Sequence, residues 1–435
     1  MPDHALRLPR LKRLSSATFR SLRHRNARVY FLGLLVSSVG TWLQLTATTL
    51  LLYGLTGRAA DLGLNAAAQF LPMLILGAWA GALADRVDRR RLMLVTQIAM
   101  ALQAFALAGL VFAGLATPVL VFVFSALLGV VGAIDNPARR GLIAELVEAD
   151  EVPNAMALNT AVMTGSRVLG PALAAWLAEP LGVGWLLVAN ALSFAAFIVP
   201  VAAIRPASLR REPKAAAGGK PVREALGFVA RHPQLGPLML VYALVSTFAF
   251  NHSISFPAVA ERRFGDARAF GYLLSVTGVG SLVGALITAG RPTVSLRWFQ
   301  GCIAVLGLSS LALAIAPDLR WAIALALPLG LGGAGFISSA NAILQRLGPP
   351  EMRSRLLALT AVAFLGSTPV GGPITGWIAD HVSPGWSLAY GGWISLAALG
   401  WMVWRLGLRS TPEPGPAPPA PPAAAHAPAV RRVGR

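Results

Sequence analysis

The chain is poor in charge and nearly free of cysteine. Charged residues make up 13% of its 435 positions and hydrophobic ones 55%, whereas about a quarter of an ordinary soluble domain is charged. That deficit excludes one large soluble core and points to an integral membrane protein. A single cysteine, Cys302, sits inside an apolar run, so disulfide frameworks, cysteine zinc sites and a paired redox motif are excluded. The chain has no phosphate-binding glycine loop of the GxxxxGK[ST] type, no HExxH and no paired aspartates within its apolar runs. A one-chain ATP-driven pump and an intramembrane hydrolase are thereby set aside, and no enzyme activity, cofactor or metal is expected.

Acidic residues number 18 against 37 basic ones, a net charge of +19. In a soluble chain that balance would suggest nucleic acid. Here the basic residues fall in breaks between apolar runs, where they orient a membrane protein and meet anionic lipid. The partner expected is therefore the lipid bilayer, with no nucleic acid.

Twelve runs have the length and composition of membrane spans, near 30–53, 63–84, 92–114, 117–135, 155–178, 182–203, 236–259, 269–289, 299–316, 319–341, 356–379 and 386–405. The first is of full membrane length and reads as a retained span, not a cleaved signal peptide. Arg and Lys concentrate before span 1, after spans 2 and 4, and after span 6, whereas Arg262, Arg263 and Arg268 after span 7 break the pattern. This asymmetry predicts both termini on the cytoplasmic side. The expected order is a basic tail over 1–29, six spans over 30–203, a linker over 204–235, six spans over 236–406 and a disordered Pro/Ala-rich tail over 407–435. Within the linker, "KAAAGGK" reads as flexible and "VREALGFVARH" as a surface helix.

Residues 157–185 lie over 358–386 without a gap, matching Gly165-Ser166 to Gly366-Ser367, Trp176 to Trp377 and Gly184-Trp185 to Gly385-Trp386. The match aligns span 5 with span 11 and predicts an all-α membrane fold of twelve spans in two six-helix repeats, a plan used by secondary transporters.

The turn after span 2 reads "GALADRVDRRRL". With Gly81, Asp85, Arg86, Arg89 and Arg90, it resembles the signature between spans 2 and 3 of the major facilitator superfamily, Asp88 standing where glycine is commoner. Four further stretches, "FRSLRHRNARVYFLGLLVSSVGTWLQ", "DNPARRGLIAELV", "NAMALNTAVMTGSRVLGPALA" and "NAILQRLGPPEMRSRLLAL", resemble the bacterial branch related to the enterobactin exporter, also called transmembrane secretion effectors. The resemblance covers residues 19–406 and implies a multi-pass transporter of the bacterial cytoplasmic membrane that moves a small molecule by alternating access. It also implies that Asp85, with the nearby arginines, holds the cytoplasmic gate shut against the positive end of span 11. In span 5, Gly170-Pro171 are similar to the core of a signature shared by antiporting members, which favours efflux of a siderophore or drug over nutrient uptake.

Other candidates come from the residues themselves. Arg167 lies midway along span 5, where an ionisable group is a site candidate by default. Binding an anionic substrate group and bonding neighbouring carbonyls are both open to it. Ser37, Thr41 and Gln44 share one face of span 1, and Asn251 lies in span 7. They can line a substrate cavity or join helices. Proton coupling is expected, with His252 as carrier because imidazole titrates near neutral pH and Asp135 as the alternative. Two six-span halves make a complete unit, so a monomer is expected; a non-transporting membrane receptor is the reading from another class.

Overall fold

The protein is described by a computed structural model. Its described residues are 20–205, 209–210, 221–266, 268–349 and 352–407. The basic stretch before residue 20, "KAAAGGK" and the Pro/Ala-rich tail lie outside them. Among the described residues the chain is helical, without strands. A first group comprises α1 (Arg25–Thr56), α2 (Ala59–Arg86), α3 (Arg89–Phe112), α4 (Pro118–Leu146), α5 (Val152–Leu181) and α6 (Val183–Ala203). A short α7 (Pro221–Arg231) follows. The second group comprises α8 (Leu235–Ala249), α9 (His252–Phe264), α10 (Arg268–Ala289), α11 (Leu296–Ala314), α12 (Leu319–Leu347), α13 (Arg353–Leu365), α14 (Thr368–His381) and α15 (Trp386–Leu406).

Ten segments are long and apolar enough to cross a membrane, α8 with α9 and α13 with α14 each counting as one. The two other long helices, α5 and α15, are not among the ten. Arg167, Asn154 and Asn159 lower the hydropathy of α5, and α15 owes much of its apolar area to Trp386, Trp393, Trp401 and Trp404.

Expected spans 7 and 11 are each broken. Pro369 has no N–H, and its ring crowds the carbonyl of Leu365, where α13 ends. At the other break, Asn251 turns its side-chain N–H2 onto the Thr247 carbonyl at 2.8 Å, satisfying an acceptor that the interrupted ladder leaves open.

Within the first group α1 packs on α5 and α6, and α3 on α4 and α6; in the second, α10 packs on α12, and α11 on α12 and α15. The groups meet where α2 lies along α14 and α5 crosses α10. The surface helix expected over 222–232 is present as α7, with Ala225 and Val229 buried, Leu226 exposed, and Glu224 2.6 Å from Arg355 of α13. A 3-10 turn at Arg20–Arg23 is tied to the start of α5. There Arg20 pairs with Asp150, whose hydrogen bond and charge raise the guanidinium above its ordinary range, and His24 meets Glu151 at 2.7 Å.

Candidate functional site

The bundle has two unlike ends. At the end remote from the termini the helix groups are locked together. Asp380 of α14 accepts hydrogen bonds from the first N–H groups of α2, Ala59 at 3.0 Å and Ala60 at 2.8 Å. A carboxylate there answers both orphan donors and the positive end of the helix. Arg262 of α9 donates to Asp380 at 2.8 Å and to the Gly57 carbonyl at 2.6 Å, and Arg268 pairs with Glu179 across the groups. Under these contacts Leu52, Leu62, Ile254, Ala258 and Ala379 form a shared apolar cluster. Backbones touch at Gly63 and Gly372, where a methyl group on Gly63 would strike the Gly372 carbonyl and one on Gly372 would lie 3.2 Å from the Gly63 carbonyl oxygen.

Toward the opposite end, where the described residues begin and stop, α2 and α13 make no comparable packing among the described residues. A Cβ at Gly77 or Gly81 of α2 would meet no atom of the described residues within 4 Å. Asp85 is 72% exposed and pairs with Arg89 at 3.3 Å, within its own group; among the described residues it has no partner on α13. Arg89 also holds Glu145 of α4 at 2.9 Å, and Arg90 caps the end of α6 through the carbonyls of Val201 and Ala202. Asp88 caps α3 by accepting from the Arg91 N–H at 2.9 Å, which accounts for an aspartate in place of the commoner glycine. Arg86 is exposed.

Between these ends lies Arg167. Its guanidinium carbon stands 5.2 Å from the ring of Trp42 on α1 and 5.7 Å from that of Phe364 on α13. The cation is thus flanked by faces from both helix groups. No carboxylate pairs with it among the described residues, and it remains exposed within the bundle. Gly170 makes this arrangement possible: a Cβ there would lie 2.7 Å from the Val39 carbonyl oxygen and 2.9 Å from the Leu43 nitrogen. The bare glycine lets α1 and α5 touch, and Trp42 then reaches the Arg167 face one turn away. Pro171, next to it, is buried.

The polar stripe of α1 is directed elsewhere. Buried Ser37 donates to Gln97 of α3 at 3.4 Å, and Thr41 donates back to the Ser37 carbonyl at 2.9 Å. Buried Gln44 donates to Gln103 of α3 at 3.1 Å and accepts from Asn190 of α6. These side chains join helices inside the first group. Asn251 is likewise committed to its own helix break.

Asp135 is deeper than its place at the end of an apolar run suggests. The helix continues eleven residues past it, to Leu146, because Ala138, Leu142 and Ile143 remain buried. The carboxylate is 1% exposed and accepts from Thr96 at 2.8 Å, Gln97 at 2.9 Å and Arg139. Asp135 is thus a buried carboxylate inside α4 rather than a group at the end of a span. Arg139 also donates to the Met163 sulfur at 3.5 Å, on α5 one turn before Arg167. His252 lies between Phe250 and Phe256, its Nε2 buried and unbonded among the described residues.

Asp380 and its partner Arg262 were not legible as a pair. The only sequence signal was Arg262 among the arginines that break the charge asymmetry.

Comparison with known proteins gives a consistent result. A family model described as "Transmembrane secretion effector" matches residues 16–428. A staphyloferrin A transporter of Staphylococcus aureus is 23% identical over 262 residues, 59% of this chain and 63% of that protein. An uncharacterised MFS-type transporter of Bacillus subtilis, YfiS, is 27% identical over 63% of this chain and 66% of its own length. The chain thus spans just under two thirds of these two relatives. The multidrug efflux pump Tap of Mycolicibacterium fortuitum is 25% identical over 80% of this chain and 87% of the pump. Among solved structures, a POT family transporter in complex with 5-aminolevulinic acid gives a TM-score of 0.70 at 10% identity over 88% of this chain and 96% of that one. An inward-facing, unoccupied bacterial homologue of the human lysosomal transporter Spinster gives 0.66 at 16% over the same shares. At those identities the likeness is one of fold alone.

Proposed function

The chain belongs to the transmembrane secretion effector family of major facilitator transporters, and from that premise we propose that it exports an anionic amphiphilic small molecule in exchange for protons. The observation that carries the reading is Arg167, an exposed cation without a carboxylate partner among the described residues, held between rings contributed by both helix groups. A cation in a membrane interior is costly unless something answers its charge. An anionic group on a planar, partly apolar molecule answers it, because the guanidinium pairs bidentately with carboxylates and the rings accept flat apolar surface. Siderophore and drug classes both contain such molecules.

Transport then follows by alternating access between two six-helix halves, α5 and α15 completing twelve spans, with both termini cytoplasmic and the monomer as the working unit. The closed remote end faces outward and the parted end receives substrate from the cytoplasm. Opening outward requires Asp380 to release α2. Hydrogen bonds to charged groups are worth about 1.5–3 kcal/mol each, so the latch amounts to a few kcal/mol and is reversible. Closure of the cytoplasmic end brings Asp85 to the start of α13 and covers the open faces at Gly77 and Gly81. Asp135 is favoured over His252 as proton carrier. Protonation frees Arg139 from its carboxylate, and Arg139 already touches α5 one turn from Arg167.

The test is retention of a compound panel (catecholate and carboxylate siderophores, aromatic acids, cationic dyes) in cells expressing wild type or Arg167→Gln at equal membrane levels. Lower retention of an anionic class by wild type alone supports the reading. Raised retention makes the protein an importer, and reduction of cationic dyes by both proteins removes Arg167 from recognition.

A further inference from the structure

At the closed end, on the periphery of the second helix group, α11 and α15 enclose a groove of about 890 Å³. Arg167 does not line it. Deeper in the bundle the two helices touch backbone to backbone, a Cβ at Gly392 falling 2.9 Å from the Gly307 carbonyl. Toward the remote end the groove has apolar walls that include Leu311 and Ile315 on one side and Trp386 and Trp393 on the other. Ile315 is 78% exposed, Trp386 53% and Trp393 58%. The two tryptophans are seven residues apart on α15, so they are displaced by about 10 Å along its axis. One sits at the helix mouth and the other about a third of a bilayer core deeper.

Arg262 and Arg263 stand at the mouth, and among the described residues no acidic side chain lines the groove. Their roles differ. Arg262 is neutralised by Asp380. Arg263 pairs with no carboxylate among the described residues; the carbonyls of Ala314 and Ala316, the latter at 2.7 Å, hold its fork in place. Carbonyl dipoles orient the guanidinium without cancelling its full charge.

We propose that this groove binds an anionic phospholipid, its phosphate at Arg263 and an acyl chain between α11 and α15. An apolar trough that starts at a membrane boundary beneath an uncompensated cation matches a headgroup and chain together, whereas a soluble anion would leave the trough unfilled. Bound lipid would brace α9 and α15 beside the Arg262–Asp380 latch.

The experiment is native mass spectrometry of the purified full chain with phosphatidylglycerol, with phosphatidylcholine of the same acyl chains, and with soluble glycerol phosphate. Wild type should retain phosphatidylglycerol about fivefold over phosphatidylcholine, the effect of one basic residue near a membrane surface. Ile315→Asp, an exposed position that puts negative charge at the mouth, should abolish the preference, and Ile315→Lys should keep it. Arg263→Gln should also lose it; if that variant does not accumulate, the Ile315 pair decides. Equal retention of the two lipids, an unchanged preference in Ile315→Asp, or equal binding of glycerol phosphate would overturn the proposal.

Discussion

Asp380 closes one end of the bundle by accepting the Ala60 N–H at 2.8 Å, so that a carboxylate of the second helix group terminates a helix of the first. Among the described residues nothing equivalent joins Asp85 to α13 at the other end, where Asp85 stays exposed beside Arg89. The difference between these two aspartates defines the conformation and generates the first prediction. Asp380→Ala should release the remote end, with a loss in the latch of at least about 1.5–3 kcal/mol, the worth of one charged hydrogen bond. Cysteine placed at buried Leu62 should then react with a membrane-impermeant thiol reagent more than about tenfold faster. The native thiol, Cys302, is 2% exposed and should contribute little background. Unchanged reactivity would show that the latch does not hold this end.

Arg167→Lys keeps the charge and loses the planar fork that lies between Trp42 and Phe364. Initial transport rates of an anionic substrate should fall about two- to fivefold, consistent with about 0.5–1 kcal/mol for an exposed guanidinium–ring contact. Thermal unfolding should stay near wild type. A lysine variant with full activity would leave the guanidinium no orienting role.

Gly170→Leu and Gly81→Leu should behave oppositely. The first forces a side chain against the backbone of α1 and should lower stability by about 1–3 kcal/mol, read as a drop in Tm. The second enters open space and should leave Tm unchanged while stopping transport, because the closed cytoplasmic end needs that face of α2. A Gly81 variant that transports normally would mean that α2 and α13 do not pack there in any working state.

Asp135→Asn should abolish dependence of transport on a pH gradient while substrate–substrate exchange continues, since the amide can still accept from Arg139 but cannot cycle a proton. His252→Ala should keep gradient dependence. Reversal of those two results would move the proton site to α9.

The helices were largely legible because each apolar run is long and bounded by charge. Their ends were not, since α4 runs on to Leu146 on amphipathic packing that a membrane-length window does not count. Arg167 was visible as a charge in the wrong surroundings, but its two ring partners come from α1 and α13, and pairings that distant leave no mark in a single sequence. The α1 stripe shows the opposite limit. Spacing put Ser37 and Gln44 on one face, and only the packing reveals that the face meets α3 and α6. The break before α14 had a readable cause in Pro369. The break at Asn251 did not, because it depends on a side chain replacing a backbone donor.

The most direct test of an anion exporter driven by protons is uptake of an aromatic acid into inside-out membrane vesicles with an acidified lumen. A proton-driven anion exporter should accumulate the acid above vesicles lacking the protein, lose the accumulation with a protonophore, and show none with Arg167→Gln. Accumulation confined to right-side-out vesicles, or an Arg167→Gln protein that accumulates the acid as well as wild type, would contradict it.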